Sequence, residues 1–273
     1  MKYFDAHSHV TFKEYDQDLD EVLKRMEEYE VGTITVGVDL ATSQEAVDFA
    51  ETRDNFYATI GLHPTDTAIE EFLAPSYETL VKHPKVVGIG ECGLDYYRLQ
   101  ATGDSVQVEK QRQKKEFIKQ LEFAAQYQKP LMLHVRPSKG TMDAYEDVFD
   151  ILEAGSYNLA PYPGNVHFFV GNVDVARRFY DLNFTTSFTG VLTFAREYDE
   201  VVRFAPVDML LTETDSPGVA PVPYRGQRNE PSYVRHVVEA IARITGLPED
   251  KLAEQIVANA RRVFGLEVPG SRG

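Results

Sequence analysis

Eight short runs of strand-forming residues, separated by segments with helical spacing, constrain this chain more than any other feature. The first run leads into His7, and the others cover residues 33–36, 56–60, 86–90, 131–133, 165–168, 183–186 and 209–212. Between them, residues 16–30 place Leu19, Val22, Leu23 and Met26 on one helical face. A capping pattern at Thr42-Ser43-Gln44-Glu45 opens a helix running through Ala50. Residues from about 108 to 128 carry the stripe Phe117, Ile118, Leu121 and Ala125, and 141–154 turn Ala144, Val148, Ile151 and Leu152 inward before Gly155. After the eighth run comes a polar loop, 216–230, then a helix opened by Pro231 and a last helix bearing Leu252, Ile256, Ala260 and Val263. Eight strands alternating with helices predict an α/β fold, a single (β/α)8 TIM barrel over residues 1–266, with 267–273 as a loose C-terminal tail. No repeat, low-complexity tract or shift in composition marks a linker.

Charge and cysteine content narrow the functional classes. With 28 basic and 43 acidic residues the net charge is -15, so the surface as a whole repels polyanions. Any contact with nucleic acid must be local, through a few arginines or bound cations. No apolar run approaches the roughly 18 residues that a membrane span needs, and Asp5 with two histidines stands where a signal peptide would be apolar. The single cysteine, Cys92, excludes an internal disulfide, and the expected location is the cytoplasm, with no membrane contact and no obligate protein partner.

The polar residues that interrupt the strand ends point to a metal. His7 and His9 alternate along the first strand and so share a face. Glu91 follows the fourth run, His134 the fifth, His167 ends the sixth and Asp215 follows the eighth. All six fall at C-terminal strand ends, where barrel enzymes build their sites. A carboxylate such as Glu91 behind a wholly apolar strand is costly to bury without a cation or hydrogen bonds. Four imidazoles and two carboxylates provide enough ligands for two divalent ions with one carboxylate bridging; nitrogen and oxygen donors suit zinc, manganese or magnesium. Paired ions activate water and clamp the attacking and leaving oxygens, as phosphate-ester hydrolysis requires. By strand period, Asp5 shares a face with His7 and Glu213 with Asp215; each is either a support for the ligands or a hydrogen-bonded rim residue, the second being the favoured reading.

At this point the chain resembles the TatD-like deoxyribonucleases within the metal-dependent hydrolases. The likeness runs through Asp5-Ala6-His7-Ser8-His9, Gly61-Leu62-His63-Pro64, Gly88-Ile89-Gly90-Glu91-Cys92-Gly93-Leu94-Asp95, Leu133-His134-Val135-Arg136, Val166-His167-Phe168-Phe169, Thr212-Glu213-Thr214-Asp215-Ser216-Pro217 and Arg225-Gly226-Gln227-Arg228-Asn229-Glu230-Pro231. The resemblance implies that His7, His9 and Asp215 hold one ion, His134 and His167 the other, and Glu91 bridges them. It makes Asp215 the group that orients or deprotonates the attacking water. It places His63 and Arg136 against substrate phosphate, with Arg225, Arg228 and Asn229 bordering the entrance. Two departures concern the substrate side: Phe168-Phe169-Val170-Gly171 stands where members often read Cys-Phe-Thr-Gly, and Gly218-Val219 replaces a common Tyr-Leu.

The expected activity is therefore hydrolysis of DNA or short oligonucleotides from an end, with a metal-bound hydroxide attacking phosphorus. Two alternatives stand beside it. One is a metal-dependent ester or amide hydrolase, for example of aminoacyl bonds; related amidohydrolases often bridge their metals with a modified lysine where this chain has Glu91. The other is a barrel that keeps its metals for binding and turns nothing over.

Overall fold

The expected alternation folds into eight parallel strands that neighbour one another in chain order. They are β1 (Tyr3–Ser8), β2 (Val31–Val36), β3 (Phe56–Ile60), β4 (Val86–Asp95), β5 (Leu131–Arg136), β6 (Gly164–His167), β7 (Thr185–Phe188) and β8 (Leu210–Thr212) in a computed structural model that describes residues 1–99 and 105–266. The tail expected at 267–273 lies outside the described residues. The ring shuts where β8 returns to β1. There the Thr212 hydroxyl donates to the Phe4 carbonyl at 3.0 Å, the Asp215 N–H to His7 O at 3.0 Å and the His9 N–H to Ser216 O at 2.8 Å.

Helices α1 (Leu19–Glu28), α2 (Leu40–Ala50), α3 (Ala74–Val81), α4 (Val106–Tyr127), α5 (Asp143–Ala154), α6 (Val173–Asp181), α7 (Asp199–Phe204), α8 (Val234–Thr245) and α9 (Glu249–Phe264) accompany the strands. Strand residues such as Phe4, Ile34, Ile60, Ile89 and Leu133 are inaccessible to solvent, as parallel strands covered on both faces must be. The helical stripes supply that cover: Val22 and Met26 on α1, Phe117 and Leu121 on α4, Val237 and Ile241 on α8, and Ile256 and Ala260 on α9 are all buried. Each large side chain among them contributes about 1.5–3 kcal/mol of apolar transfer energy. No helix among the described residues is long and apolar enough to cross a membrane.

Several boundaries differ from the sequence reading, each for a local reason. The capping box belongs to Asp39, not to Thr42 and Glu45: Thr42 N–H donates to Asp39 Oδ1 at 2.7 Å and Asp39 N–H to Thr42 Oγ1 at 3.0 Å, so α2 begins at Leu40. Helices α3 and α7 were not expected; they span only 8 and 6 residues, too few for a periodic stripe to emerge. Pro231 opens a short 3-10 turn through Tyr233 before α8 begins. Strand β7 starts at Thr185 because Asn183, with φ of 63°, still belongs to the turn. Strand β4 continues past Gly90 to Asp95, so Glu91 lies inside a strand rather than after it. Gly90 permits this: with φ of 148°, a Cβ there would lie 2.4 Å from the Met132 carbonyl of the neighbouring strand.

Candidate metal centre

Parallel register sets the candidate ligands side by side. His134 pairs with Gly93 of β4 on one side and with His167 of β6 on the other, so three adjacent strands deliver Glu91, His134 and His167 to one level. On the opposite side β1 brings His7 and His9 together, their Nε2 atoms 3.1 Å apart. Asp215 follows β8 with φ of 50°, a left-handed turn that aspartate tolerates better than most residues, and its Oδ1 lies 3.7 Å from His7 Nε2 and 3.6 Å from His9 Nε2.

Glu91 joins the two sides. Its Oε2 lies 3.4 Å from His7 Nε2 and 3.6 Å from His9 Nε2. Its Oε1 lies 2.5 Å from His134 Nδ1, 2.8 Å from His167 Nε2 and 3.5 Å from His63 Nε2. The six residues expected at strand ends are thus gathered into one cluster.

The far nitrogen of three rings is engaged. His9 Nδ1 meets the Val36 carbonyl at 3.1 Å, which can only accept, so that nitrogen carries the proton and Nε2 turns a lone pair inward. His134 Nε2 lies 3.2 Å from Asp95 Oδ2, and His167 Nδ1 lies 3.3 Å from Glu213 Oε1. Glu213 is itself held by the Phe168 N–H at 2.8 Å and by the Ser187 hydroxyl. Carboxylates that take one ring proton in this way leave the other nitrogen free to bind a cation.

Glu213 is buried against the candidate ligand His167, which corrects its reading as a rim residue. Asp5 is hydrogen-bonded as expected but is fully buried rather than at the rim: it accepts from the Thr214 N–H at 2.8 Å and the Thr214 hydroxyl at 2.6 Å, and meets the backbone of His7. Asp95 was not singled out. The usable signal was strand period, because 91, 93 and 95 share a face of β4.

His63 differs from the other rings. With Glu91 and His134 it forms a group close enough to hold an ion. However, the Thr65 N–H donates to its Nδ1 at 3.2 Å, and the Thr65 hydroxyl lies 2.7 Å from the same atom. A backbone N–H cannot accept, so in the neutral ring the proton sits on Nε2 and is presented to the cluster. Burial pushes the His63 pKa down to about 3, which keeps the ring neutral. In this tautomer His63 turns a donor, not a lone pair, toward the cluster.

The electrostatics suit a cation. Burial works against the charge on Glu91, but the imidazoles of His167, His63 and His7 outweigh it and hold the carboxyl well below its usual range. His167 is pushed well above the usual histidine value by Glu91 and Glu213 in spite of its burial, and His134 is raised by Asp95 and Glu91. A field that draws protons onto buried imidazoles also draws divalent ions. On the β1 side the spacing of 3.1–3.7 Å is close to that of zinc ligands, which stand about 3–3.5 Å apart, whereas Glu91 Oε1 lies nearer to His134 and His167 as a hydrogen-bond partner would. Cys92 takes no part: it is buried, with its sulfur near the carbonyls of Ile89 and Met132.

A cavity of about 540 Å³ opens over this cluster. Arg136 lines it, with its guanidinium 4.3 Å above the Tyr97 ring, and so do Asp66 and Arg98, neither of which the sequence singled out. The other rim residues expected from the sequence are placed elsewhere. Arg228 forms a two-point pair with Asp18 at 2.7 and 2.6 Å and donates to Glu14 O at 2.6 Å. Asn229 is buried, its amide donating to Thr214 O and its oxygen accepting from the Glu230 N–H, both at 2.9 Å. Arg225 is exposed and lies 3.6 Å over the Phe194 ring. These three side chains shape the loop after β8 and do not line the cavity.

Comparison with known proteins agrees with this geometry. The profile of the family described as TatD related DNase matches residues 4–265. The chain belongs to the TatD family of metal-dependent hydrolases. It is 40% identical over 269 residues to the uncharacterized metal-dependent hydrolase YabD of Bacillus subtilis, covering 96% of this chain and 99% of that one. It is 32% identical over 277 residues to a Klebsiella pneumoniae TatD protein named a 3'-5' ssDNA/RNA exonuclease, covering 98% and 99%. Among solved structures it superposes on YJJV, a TatD homolog of Escherichia coli K12, with a TM-score of 0.84 and 25% identity, over 97% of this chain and 99% of that one. As a TatD protein this chain is a metal-dependent hydrolase, and the cluster around Glu91 is able to bind metal.

Proposed function

We propose that the protein hydrolyses phosphodiester bonds of single-stranded nucleic acid from an end, using two divalent ions bridged by Glu91. The observation that carries this reading is the division of Glu91: Oε2 faces the two histidines of β1, and Oε1 faces His134 and His167. In this reading His7, His9 and Asp215 hold one ion, and His134 and His167 the other. Bound ions supply Lewis acidity at phosphorus and an activated water. The residues do the rest. Asp215 has the most exposed side chain among the candidate ligands, at 23%, and reaches the cavity where water enters. Burial opposes its charge, but His9 and His7 hold its carboxyl below the usual range, so it is ionised and able to take the water's proton. The His63 Nε2–H and the Arg136 guanidinium donate to phosphate oxygens. In a chain of net charge -15 these few local donors oppose a repulsive surface, so binding should be weak, and with so few charged contacts its dependence on salt should be shallow. The Klebsiella relative's named activity on single-stranded DNA and RNA supports the substrate class.

The test is an assay of the protein loaded with magnesium, manganese or zinc on end-labelled single-stranded DNA and RNA, beside an aminoacyl ester. Shortening from one end that stops with chelator supports the reading. Turnover of the aminoacyl ester alone would replace it with an acyl hydrolase.

A further inference from the structure

Two partly buried aromatic rings stand in the cavity wall. Phe12 and Phe168 line the cavity, yet neither belongs to the apolar core. Their neighbour Phe169 does, at 2% exposure. Phe168 is also placed at a backbone cost: its φ of 43° is a left-handed conformation that bulky residues rarely adopt, held by the bond from its N–H to Glu213. The ring so placed is only partly buried, and it lines the cavity.

The two rings stand beside the candidate ligands. Phe12 stacks on the His9 ring, with centroids 4.6 Å apart and planes 20° from parallel. Phe168 follows His167 directly and meets that ring edge-on, with centroids 6.4 Å apart and planes at 77°. The same cavity is lined by Val170 and Val219, by Arg98 and Arg136, and by Asp66. A ligand matching all of this has an anionic group and, within one unit of it, a flat apolar ring. A cavity of about 540 Å³ is commensurate with one nucleotide unit and falls within the size range of small-molecule sites, about 300–1,000 Å³.

We infer that Phe168 and Phe12 form a base-binding subsite, on which the nucleobase adjoining the scissile phosphate stacks. The inference rests on the phosphodiesterase reading above and adds that the terminal nucleotide is selected through its ring as well as its phosphate. Stacking of this kind accepts any base, because every base presents a π-face. Subsite residues at a strand end and an adjoining loop also explain how one metal floor can serve different substrates.

Binding tests the subsite apart from turnover. Titration calorimetry of the manganese-loaded protein would compare dAMP, deoxyribose 5-phosphate and octyl phosphate. The expected result is dAMP bound about 10- to 100-fold more tightly than deoxyribose 5-phosphate. Phe168→Leu should bring that ratio to within about threefold, and Phe168→Tyr should keep it. Phe12→Leu should lower the ratio as well, and it carries the test if Phe168→Leu fails to fold by circular dichroism. A ratio near one in the unaltered protein, a ratio untouched by the leucine variants, or octyl phosphate bound as tightly as dAMP overturns the subsite. Selective dAMP binding without cleavage of any oligonucleotide overturns the phosphodiesterase reading and leaves the subsite standing; cleavage with no preference for dAMP does the reverse.

Discussion

On the floor of the cavity His134 leans on Asp95 and His167 on Glu213, while on the rim Arg136 lies against the face of Tyr97, a half-exposed ring at 52%. The floor carboxylates are buried and are themselves held by further donors, as Glu213 is by Phe168 N–H and Ser187. The Arg136 contact is a ring face that is half open to solvent. The rings of His134 and His167 can neither rotate nor change tautomer without breaking a buried bond, whereas a rim side chain can move to meet what enters. Changes on the floor should therefore be all-or-none and read in metal content, and changes on the rim should be graded and read in substrate affinity.

The largest test of that contrast is Glu91→Ala. It should release both ions and lower kcat/KM by about 1,000-fold or more, with metal content measured by mass spectrometry after dialysis. Two ions retained with full turnover would remove Glu91 from the centre. Next come Asp95→Asn and Glu213→Gln, each expected to weaken metal binding by about 10- to 100-fold although neither is a proposed ligand. Unchanged affinity would show that the rings are held by the strands alone.

His63 lies at the border of floor and rim. His63→Ala should reduce kcat/KM by about tenfold, and His63→Gln, whose amide N–H can stand where Nε2–H stood, should recover part of it. Both variants should keep the full metal content; an ion lost from His63→Gln would make His63 a ligand after all.

Asp66 gives the pH test. Burial, with Asp39 and Glu91 nearby, pushes its carboxyl up to about 6. An unfolded chain would release that proton near pH 4, so the stabilising contribution is whole below about pH 4 and is lost as pH rises through about 6. Asp66→Asn should accordingly raise stability by about 1–2 kcal/mol at pH 7.5, allowing for solvent screening at the rim, and should leave it unchanged at pH 4. Melting temperatures in chelator would decide, and a shift of equal size at both pH values would contradict the assignment. The smallest effect belongs to Arg228→Ala: its pair with Asp18 is partly solvated, so about 0–1 kcal/mol of stability should be lost, with activity within about twofold. A large rise in KM there would return Arg228 to the substrate.

The floor could be read from the chain because its logic is periodic. Strand ends recur, alternate residues share a face, and six of the polar residues at those ends meet around Glu91. What could not be read depends on rotation or on distant partners. Whether Glu213 faces a ring or a solvated turn is a matter of side-chain angle. Arg228 meets Asp18 across 210 positions of sequence, and no local pattern announces such a pair. The short helices α3 and α7 failed to register for want of length.

The closure of the barrel carries one more consequence. Beyond the bonds of Thr212 to Phe4 and of Thr214 to Asp5, the end of β8 is joined to β1 through Asp215 and His9, and these two are proposed ligands of the same ion. That ion would act as a clasp on the ring. Amide hydrogens of His9 and Asp215 should exchange slowly when it is present and quickly when it is removed, while those of the β4 and β5 pairing hardly change. Resistance to local opening would then rise and fall with metal supply, so that a chain short of metal is not merely idle but ajar at one seam.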